Sequence, residues 1–256
     1  MSAESIIAEQ KPSNLSAMAD RWDHEWIKYF RRSPDYFVDN SKIDTDVRAR
    51  IDAVKGAVSR PVDLLSASNP VWRIWAVAVY PQEIWQRAVA DLGCGPGAIG
   101  RTMGHVTRHF LGVDFARLPL HVARIISPPT CTYVSRYEIE ELAKFYGTRD
   151  VVFSRNVFIH QNYEQARQLA AVGAMLLKPG GILAADFFDP SNKDVRDPKQ
   201  RGISRLAKDD LDQDRPTVGY YFEQHEIQEI ARDCGLKVEM IERVPERNWR
   251  IVRMRR

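Results

Sequence analysis

Twelve residues, Val89-Ala-Asp-Leu-Gly-Cys-Gly-Pro-Gly-Ala-Ile-Gly100, constrain the fold of this chain more than any other stretch. An apolar run with the look of a buried strand leads into Gly93, Gly95 and Gly97 at alternate positions, and an amphipathic pattern begins at once with Ile99 and Met103. Glycines at such a turn let the backbone reverse sharply and leave no Cβ between the peptide groups and a ligand. The N–H groups that open the following helix favour a negative group there. Gly95-Pro-Gly-Ala-Ile-Gly100 also fits the G-x-G-x-x-G spacing of dinucleotide sites, which by itself does not identify the ligand.

From this turn onward short apolar runs alternate with helical periodicity. Strands are expected at Ala88–Asp91, Phe110–Asp114, Thr130–Val134, Asp150–Ser154 and Gly181–Phe187. Between them lie a helical face of Ile99, Met103, Val106 and Phe110, then Leu120–Ile126, then a longer helix near Tyr163–Leu177. Alternation of this kind implies an α/β fold, a doubly wound and mostly parallel sheet. The chain ends with a helix at Gln224–Cys234 stopped by Gly235. Strands at Lys237–Val244 and Trp249–Met254 follow, joined through Pro245-Glu-Arg-Asn248 as an antiparallel hairpin.

The N-terminal third reads differently. Residues 1–17 are polar without periodicity and are expected to be disordered or loosely attached. Residues 18–84 read as a helical appendage. It comprises an aromatic helix over Met18–Arg31, an amphipathic one over Asp44–Val58 (Val47, Ile51, Val54, Val58), and a third opening at Asn69-Pro70 with Trp72 and Trp75. Residues 85–256 then form the sheet domain. The polar stretch from Asp189 to Pro216 is long enough to be a lid or binding loop.

Charge narrows the partners. Lysine and arginine total 37 against 34 acids, a net charge of +3, too even to argue for nucleic acid or a membrane surface, and neither is expected as a partner. Arg247, Arg250, Arg253, Arg255 and Arg256 crowd the C-terminus and read as a solvated edge strand and tail. Cys94, Cys131 and Cys234 have neither disulfide nor zinc spacing, which fits a reducing compartment, and no metal-ligand constellation is visible. The best apolar run, Val71–Tyr80, is broken by Arg73, and the first residues carry acids early, so neither a membrane span nor a secretory signal is expected. The expectation is a cytoplasmic protein.

Two acids bear on the ligand. Asp91 ends the strand before the first glycine, where a carboxylate would repel a pyrophosphate but suits an ammonium group. Asp114 ends the next strand, where it can accept both ribose hydroxyls of an adenosine in either kind of cofactor.

With these residues in view, the sequence from about residue 85 to the C-terminus resembles the class I S-adenosylmethionine-dependent methyltransferases. Asp-Leu-Gly-Cys-Gly-Pro-Gly97 looks like their first motif and Gly112-Val-Asp-Phe115 like their second. Asp150-Val-Val-Phe-Ser-Arg-Asn156 is similar to their fourth strand, and Leu177-Lys-Pro-Gly-Gly181 to the turn before the fifth. The resemblance implies a seven-stranded sheet with S-adenosylmethionine on Asp91, Gly93, Cys94, Gly95 and Gly97. It implies ribose on Asp114, adenine against Phe115, and the adenine edge at Glu138 and Ile139. The family's acid aligns with either Tyr137 or Glu138.

Methyl transfer is an in-line displacement, so a protein must mainly align the partners and exclude water. An oxygen nucleophile must also lose its proton. His160, six residues past Ser154, is the expected general base, with Tyr220, Tyr221 and His225 beyond the polar loop. Arg155 and Asn156 are placed toward the methionine end of the cofactor. Trp22 and Trp26, together with Tyr220 and Tyr221, are assigned to the acceptor side. The expected activity is methylation of a small molecule, more at a hydroxyl oxygen than at nitrogen. A nucleic-acid methyltransferase, a nicotinamide-dependent oxidoreductase and a non-catalytic cofactor-binding protein are the alternatives. An Asn- or Asp-Pro-Pro-aromatic run, typical of enzymes that methylate amines on bases, is replaced here by Ser154-Arg-Asn-Val157.

Overall fold

The five apolar runs between residues 88 and 188 all form strands in a computed structural model of the chain, which describes residues 3–8, 12–32, 78–189, 202–204, 219–244 and 249–256. The helices are α1 (Ala3–Ala8), α2 (Pro12–Arg32), α3 (Ala98–Met103), α4 (Arg117–Ile126), α5 (Ile139–Ala143), α6 (Tyr163–Leu176) and α7 (Gln224–Asp233). The strands are β1 (Ala88–Leu92), β2 (His109–Asp114), β3 (Cys131–Ser135), β4 (Arg149–Ser154) and β5 (Leu177–Phe188). They continue with β6 (Gly202–Ser204), β7 (Gly219–Tyr221), β8 (Lys237–Val244) and β9 (Trp249–Arg255). The helices expected at Asp44–Val58 and at Asn69-Pro70, the Pro245–Asn248 turn and most of the 189–216 stretch lie outside the described residues.

Packing divides the chain into two units, residues 12–144 and residues 1–11 with 145–256. In the first, β1, β2 and β3 run parallel, with Ala90 beside Leu111 and Leu111 beside Thr132. All five residues of β1 are buried, as a strand covered on both faces requires. Helix α2 packs on α4 within this unit.

In the second unit β5 is the hub. It pairs parallel with β4 and β7 and antiparallel with β9, which in turn pairs with β8. The C-terminal antiparallel hairpin and the mostly parallel α/β class are therefore as the sequence implied. The three-residue strands β6 and β7, which pair parallel with each other, were not anticipated. The Leu177–Gly181 turn is realised as a bulge inside β5. Leu177 faces Arg149 and Ile182 faces Val151, so four residues bow out, with Gly180 at φ +78°.

Local chemistry sets the ends of the longer helices. Asn162 accepts from Gln165 N at 2.9 Å, while the Gln165 side chain accepts from Asn162 N at 3.1 Å, a reciprocal cap that starts α6. Helix α7 stops where Leu236 N reaches back to Ala231 O at 2.8 Å across Gly235 at φ +71°.

Two expectations need correction. Residues 1–17 are not loose throughout: α1 packs on α6, with Ile6 wholly buried, and α2 already begins at Pro12. The Ile6-Ile7 pair supplies the apolar face that the polar composition of the segment obscured. The helix expected to carry Ile99 through Phe110 ends at Met103; Val106 lies in the following turn and Phe110 in β2. Its apolar residues are buried by a turn and a strand, which periodicity alone does not separate from a helical face.

Gly112 sits between Asp91 and Tyr133 in register, and a Cβ there would overlap the Tyr133 ring and approach Cys94 Sγ to 2.8 Å. Gly112→Ala is therefore expected to destabilise the fold by about 1–3 kcal/mol through overpacking. Thermal unfolding of the variant checks this; an unchanged Tm would show that the ring yields freely.

Candidate functional site

The turn after β1 is pinned to the end of β2 by three successive amides. Gly93 N donates to Val113 O at 2.7 Å, Cys94 N to the same oxygen at 3.2 Å, and Gly95 N to Asp114 Oδ2 at 2.7 Å. Gly93, Gly95 and Gly97 have φ of +76°, +51° and +79°, the left-handed region that side chains other than glycine rarely enter. The other Asp114 oxygen, Oδ1, accepts from Ala116 N at 2.9 Å. Burial raises the Asp114 carboxyl to about 6 although amides of Ala116, Gly95 and Phe115 all favour its ionised form.

Asp91 is buried at the end of β1, and Cys94 is buried in the turn itself. Burial first, and then the charges of Asp114 and Asp91, push the Cys94 thiol well above its ordinary value. The turn therefore lies in a field made negative by two carboxylates. Phe115 is half-buried beside Asp114. Glu138 and Ile139 are exposed at the start of α5. The Glu138 carboxylate turns back to accept from Ser135 N at 2.8 Å and lies 3.5 Å from Arg124. All nine of these residues, Asp91, Gly93, Cys94, Gly95, Gly97, Asp114, Phe115, Glu138 and Ile139, belong to the 12–144 unit.

Trp22 and Trp26 belong to that unit too. The Trp26 ring lies on Gly95: a Cβ built there would come within 2.7 Å of Trp26 Cζ2. Tyr29 and Phe30 pack against the same indole, with ring centroids 5.4 and 5.6 Å away. Trp22 is half-buried one turn earlier.

The remaining candidates fall in the 145–256 unit. Ser154 ends β4 wholly buried, Arg155 is half-buried, and Asn156 is exposed at φ +59°. Its N–H points at both oxygens of Asp186 on β5, each 2.9 Å away. A left-handed asparagine costs on the order of 1 kcal/mol, and a charge-assisted hydrogen bond to the same residue offsets it. Half-buried His160 closes the 3₁₀ turn Phe158–His160, against which both β5 and β7 pack. Strand β7 carries Tyr220, buried, and Tyr221, half-buried; His225 is exposed on α7. Arg155, Asn156, His160, Tyr220 and Tyr221 are thus gathered at the ends of β4 and β5. Among the described residues no group of three or more His, Cys, Asp or Glu is placed to hold a metal ion, and no helix is long and apolar enough to cross a membrane.

Asp186 escaped the sequence reading, although the signal was there: it is the one acid in the otherwise apolar run Ile182–Phe188. Asp23 also escaped it. Its Oδ1 accepts from Leu118 N at 2.8 Å, and its position three residues before Trp26 puts both on one helix face.

Comparison with known proteins fits this arrangement. The family described as methyltransferase domain matches residues 89–181, from β1 into β5. That segment is therefore a methyltransferase domain, in keeping with the resemblance to the class I S-adenosylmethionine-dependent enzymes.

The chain is 29% identical over 167 residues to the ubiquinone biosynthesis O-methyltransferase of Erwinia tasmaniensis, covering 62% of this chain and 65% of that protein. It is 30% identical over 154 residues to the protein of the same name from Proteus mirabilis, covering 57% and 61%. The chain thus spans somewhat less than two thirds of these curated relatives. Among solved structures, magnesium protoporphyrin IX methyltransferase from Synechocystis PCC 6803 with bound SAH superposes with a TM-score of 0.51 at 19% identity, over 83% of this chain and 94% of that one. An S-adenosylmethionine-dependent methyltransferase from Mesorhizobium loti superposes with 0.53 at 19%, over 73% and 98%. These likenesses establish the fold of the methyltransferase domain.

Burial raises the Asp186 carboxyl to about 7, above its value in an unfolded chain, against the opposing pull of Asn156 N and Arg155. The folded state therefore holds this proton more tightly, so the contribution of Asp186 to stability falls as pH rises from about 4 through 7. Asp186→Asn keeps an oxygen for Asn156 N–H and removes that slope. The variant should gain in Tm relative to the parent as pH goes from about 5 to 8, and parallel Tm–pH curves would contradict the assignment.

Proposed function

We propose that this chain transfers the methyl group of S-adenosylmethionine to a hydroxyl oxygen of a small molecule. The observation that carries the cofactor half is the seating of the Asp114 carboxylate on the glycine turn, with Gly95 N on one oxygen and Ala116 N on the other. Each carboxylate oxygen can accept more than one hydrogen bond, so the amides leave capacity for two ribose hydroxyls. The chemistry of the donor set fits as well. Two buried or half-buried acids around Cys94 suit a cofactor with an ammonium and a sulfonium better than one with a pyrophosphate.

Within this reading Asp91, Gly93, Cys94, Gly95 and Gly97 hold the cofactor at the turn. Asp114 holds the ribose, Phe115 packs against adenine, and Glu138 and Ile139 border its edge. Arg155 and Asn156 serve the methionine end. The bound cofactor supplies a methyl carbon already activated by its sulfonium, so the chain's own task is alignment and exclusion of water. His160 takes the acceptor's proton as general base, and Tyr220 and Tyr221 contact the acceptor. The oxygen is favoured as acceptor atom because both curated relatives named above are O-methyltransferases.

The cofactor or its demethylated product at about 100 times its Kd should stabilise the protein by about 2.7 kcal/mol and raise the Tm by several degrees, whereas NADH should not. Stabilisation by NADH alone would overturn the reading. Asp114→Ala should weaken cofactor binding by about 1.5–3 kcal/mol, the range for hydrogen bonds to charged groups. Because Asp114 ionises only above about pH 6, wild-type affinity should decline as pH falls through that value. Calorimetric titration between pH 5 and 8 checks both; equal affinities for the folded variant and the parent would remove Asp114 from the site.

A further inference from the structure

Helix α2 touches all three loops that carry the proposed cofactor residues of the 12–144 unit. At the loop after β3, Tyr137 lies close enough to Ser16 and Ala19 for both to act on its hydroxyl. At the loop after β2, Asp23 Oδ1 accepts from Leu118 N, four residues beyond Asp114. At the turn after β1, the Trp26 indole lies on Gly95, whose own N–H is held by Asp114. Positions 16, 19, 23 and 26 are three or four residues apart, so they share one face of the helix. On that face Ala19 is wholly buried; beside it Met18 is nearly so, and Tyr29 and Phe30 pack on the Trp26 indole toward the C-terminal end of the helix.

Each contact has a consequence for the loop beneath it. Leu118 N is one of the N–H groups that open α4 with no partner inside the helix, and Asp23 satisfies it from a distance of 95 residues in sequence. Gly95 can accept the indole at this distance because it lacks a side chain. The bare backbone that would let a ligand approach is here covered, on its Cβ side, by an aromatic ring. An adenosyl group held by Asp114 would therefore sit beside three loops whose movement is restricted by a single helix.

We propose that α2 is a latch on the cofactor pocket: Tyr137, Asp23 and Trp26 fasten it to the three loops, and the cofactor enters and leaves when that face lifts. The proposal rests on the cofactor reading above, and it moves Trp26 from the acceptor side, where the sequence placed it, to the control of cofactor exchange. Local opening of this kind is expected of segments fastened by a few contacts and not by a continuous core.

The test compares the full-length parent with Trp26→Ala, Asp23→Ala and Tyr137→Phe. Hydrogen exchange of the ligand-free proteins reads the latch itself. In Trp26→Ala the amides of Gly95, Gly97 and Leu118 should exchange about fivefold faster or more, while those of β1 and β2 stay protected. Chase of bound tritiated S-adenosylmethionine with unlabelled cofactor reads the gating. Release should quicken by about tenfold in Trp26→Ala and by a smaller factor in the other two. Exchange and release both unchanged within twofold in the folded variants would overturn the latch. If Trp26→Ala fails to fold, the other two variants decide the same question. Failure of the parent to retain labelled cofactor would instead sink the cofactor reading, and the exchange pattern would still show whether α2 pins the loops.

Discussion

The Asp114 carboxylate is the contact on which the arrangement of the 12–144 unit turns. Parallel strands β1 and β2 bring Asp91 beside Gly112 and Leu92 beside Val113, but strand pairing ends there and leaves the next amides unpaired. Val113 O takes two of them and Asp114 takes the third. A buried donor without an acceptor would cost about 1–3 kcal/mol, so the acid at the end of β2 is what permits the glycine turn to be tight. The same carboxylate then fixes Ala116 at the start of the next loop. One side chain thus sets the relative position of two loops, and this is why a motif separated by about twenty residues in sequence acts as one site.

Much of this was legible in the sequence because it depends on local rules. Buried parallel strands read as apolar runs, and β1, β2, β4 and β5 fall within a few residues of where the runs were seen. Alternating glycines before a helical pattern leave few other arrangements for the backbone. What was not legible depends on contacts across long sequence separations. Asp23 matters only because Leu118 lies against it, and Trp26 only because Gly95 does. Periodicity put Trp26 on a helix but did not single out Asp23, nor did it say what their shared face meets. Glu138 shows the same limit: its type and place could be read, but not that its carboxylate accepts from Ser135 N and lies beside Arg124.

The arginines of the C-terminal strands illustrate how a charge run is absorbed by its neighbours. Arg253 and Arg255 both reach Glu239, at 2.7 and 2.5 Å. Glu239 can serve two partners because β8 carries an extra residue there: Val238 faces Met254 and Met240 faces Arg253. The two arginines hold its carboxyl down to about 2. Arg250 and Arg243 flank buried Asp189, and Arg256 donates to Leu177 O. A run that looked like a solvated edge is for these residues a set of ties between strands, which composition cannot distinguish from free charge.

Asp114 and Asp186 use one device in two places. Each is an acid near the C-terminal end of a strand, and each receives a backbone N–H from a residue in the left-handed region, Gly95 in one case and Asn156 in the other. Burial lifts both, to about 6 and about 7, so both change charge within the range in which proteins ordinarily work. The hydrogen bonds need not be lost on protonation, since a neutral carboxyl still offers an acceptor oxygen. What changes is the field each loop presents to whatever lies over it. Under the proposed function, that field at Asp114 would bear on a ribose and on the cationic end of a cofactor. At Asp186 it bears on Asn156, whose side chain is exposed while its amide is held. Acids placed this way hold a strained backbone in shape and, once ionised, make the local potential negative, and an amide side chain could supply the first property but not the second.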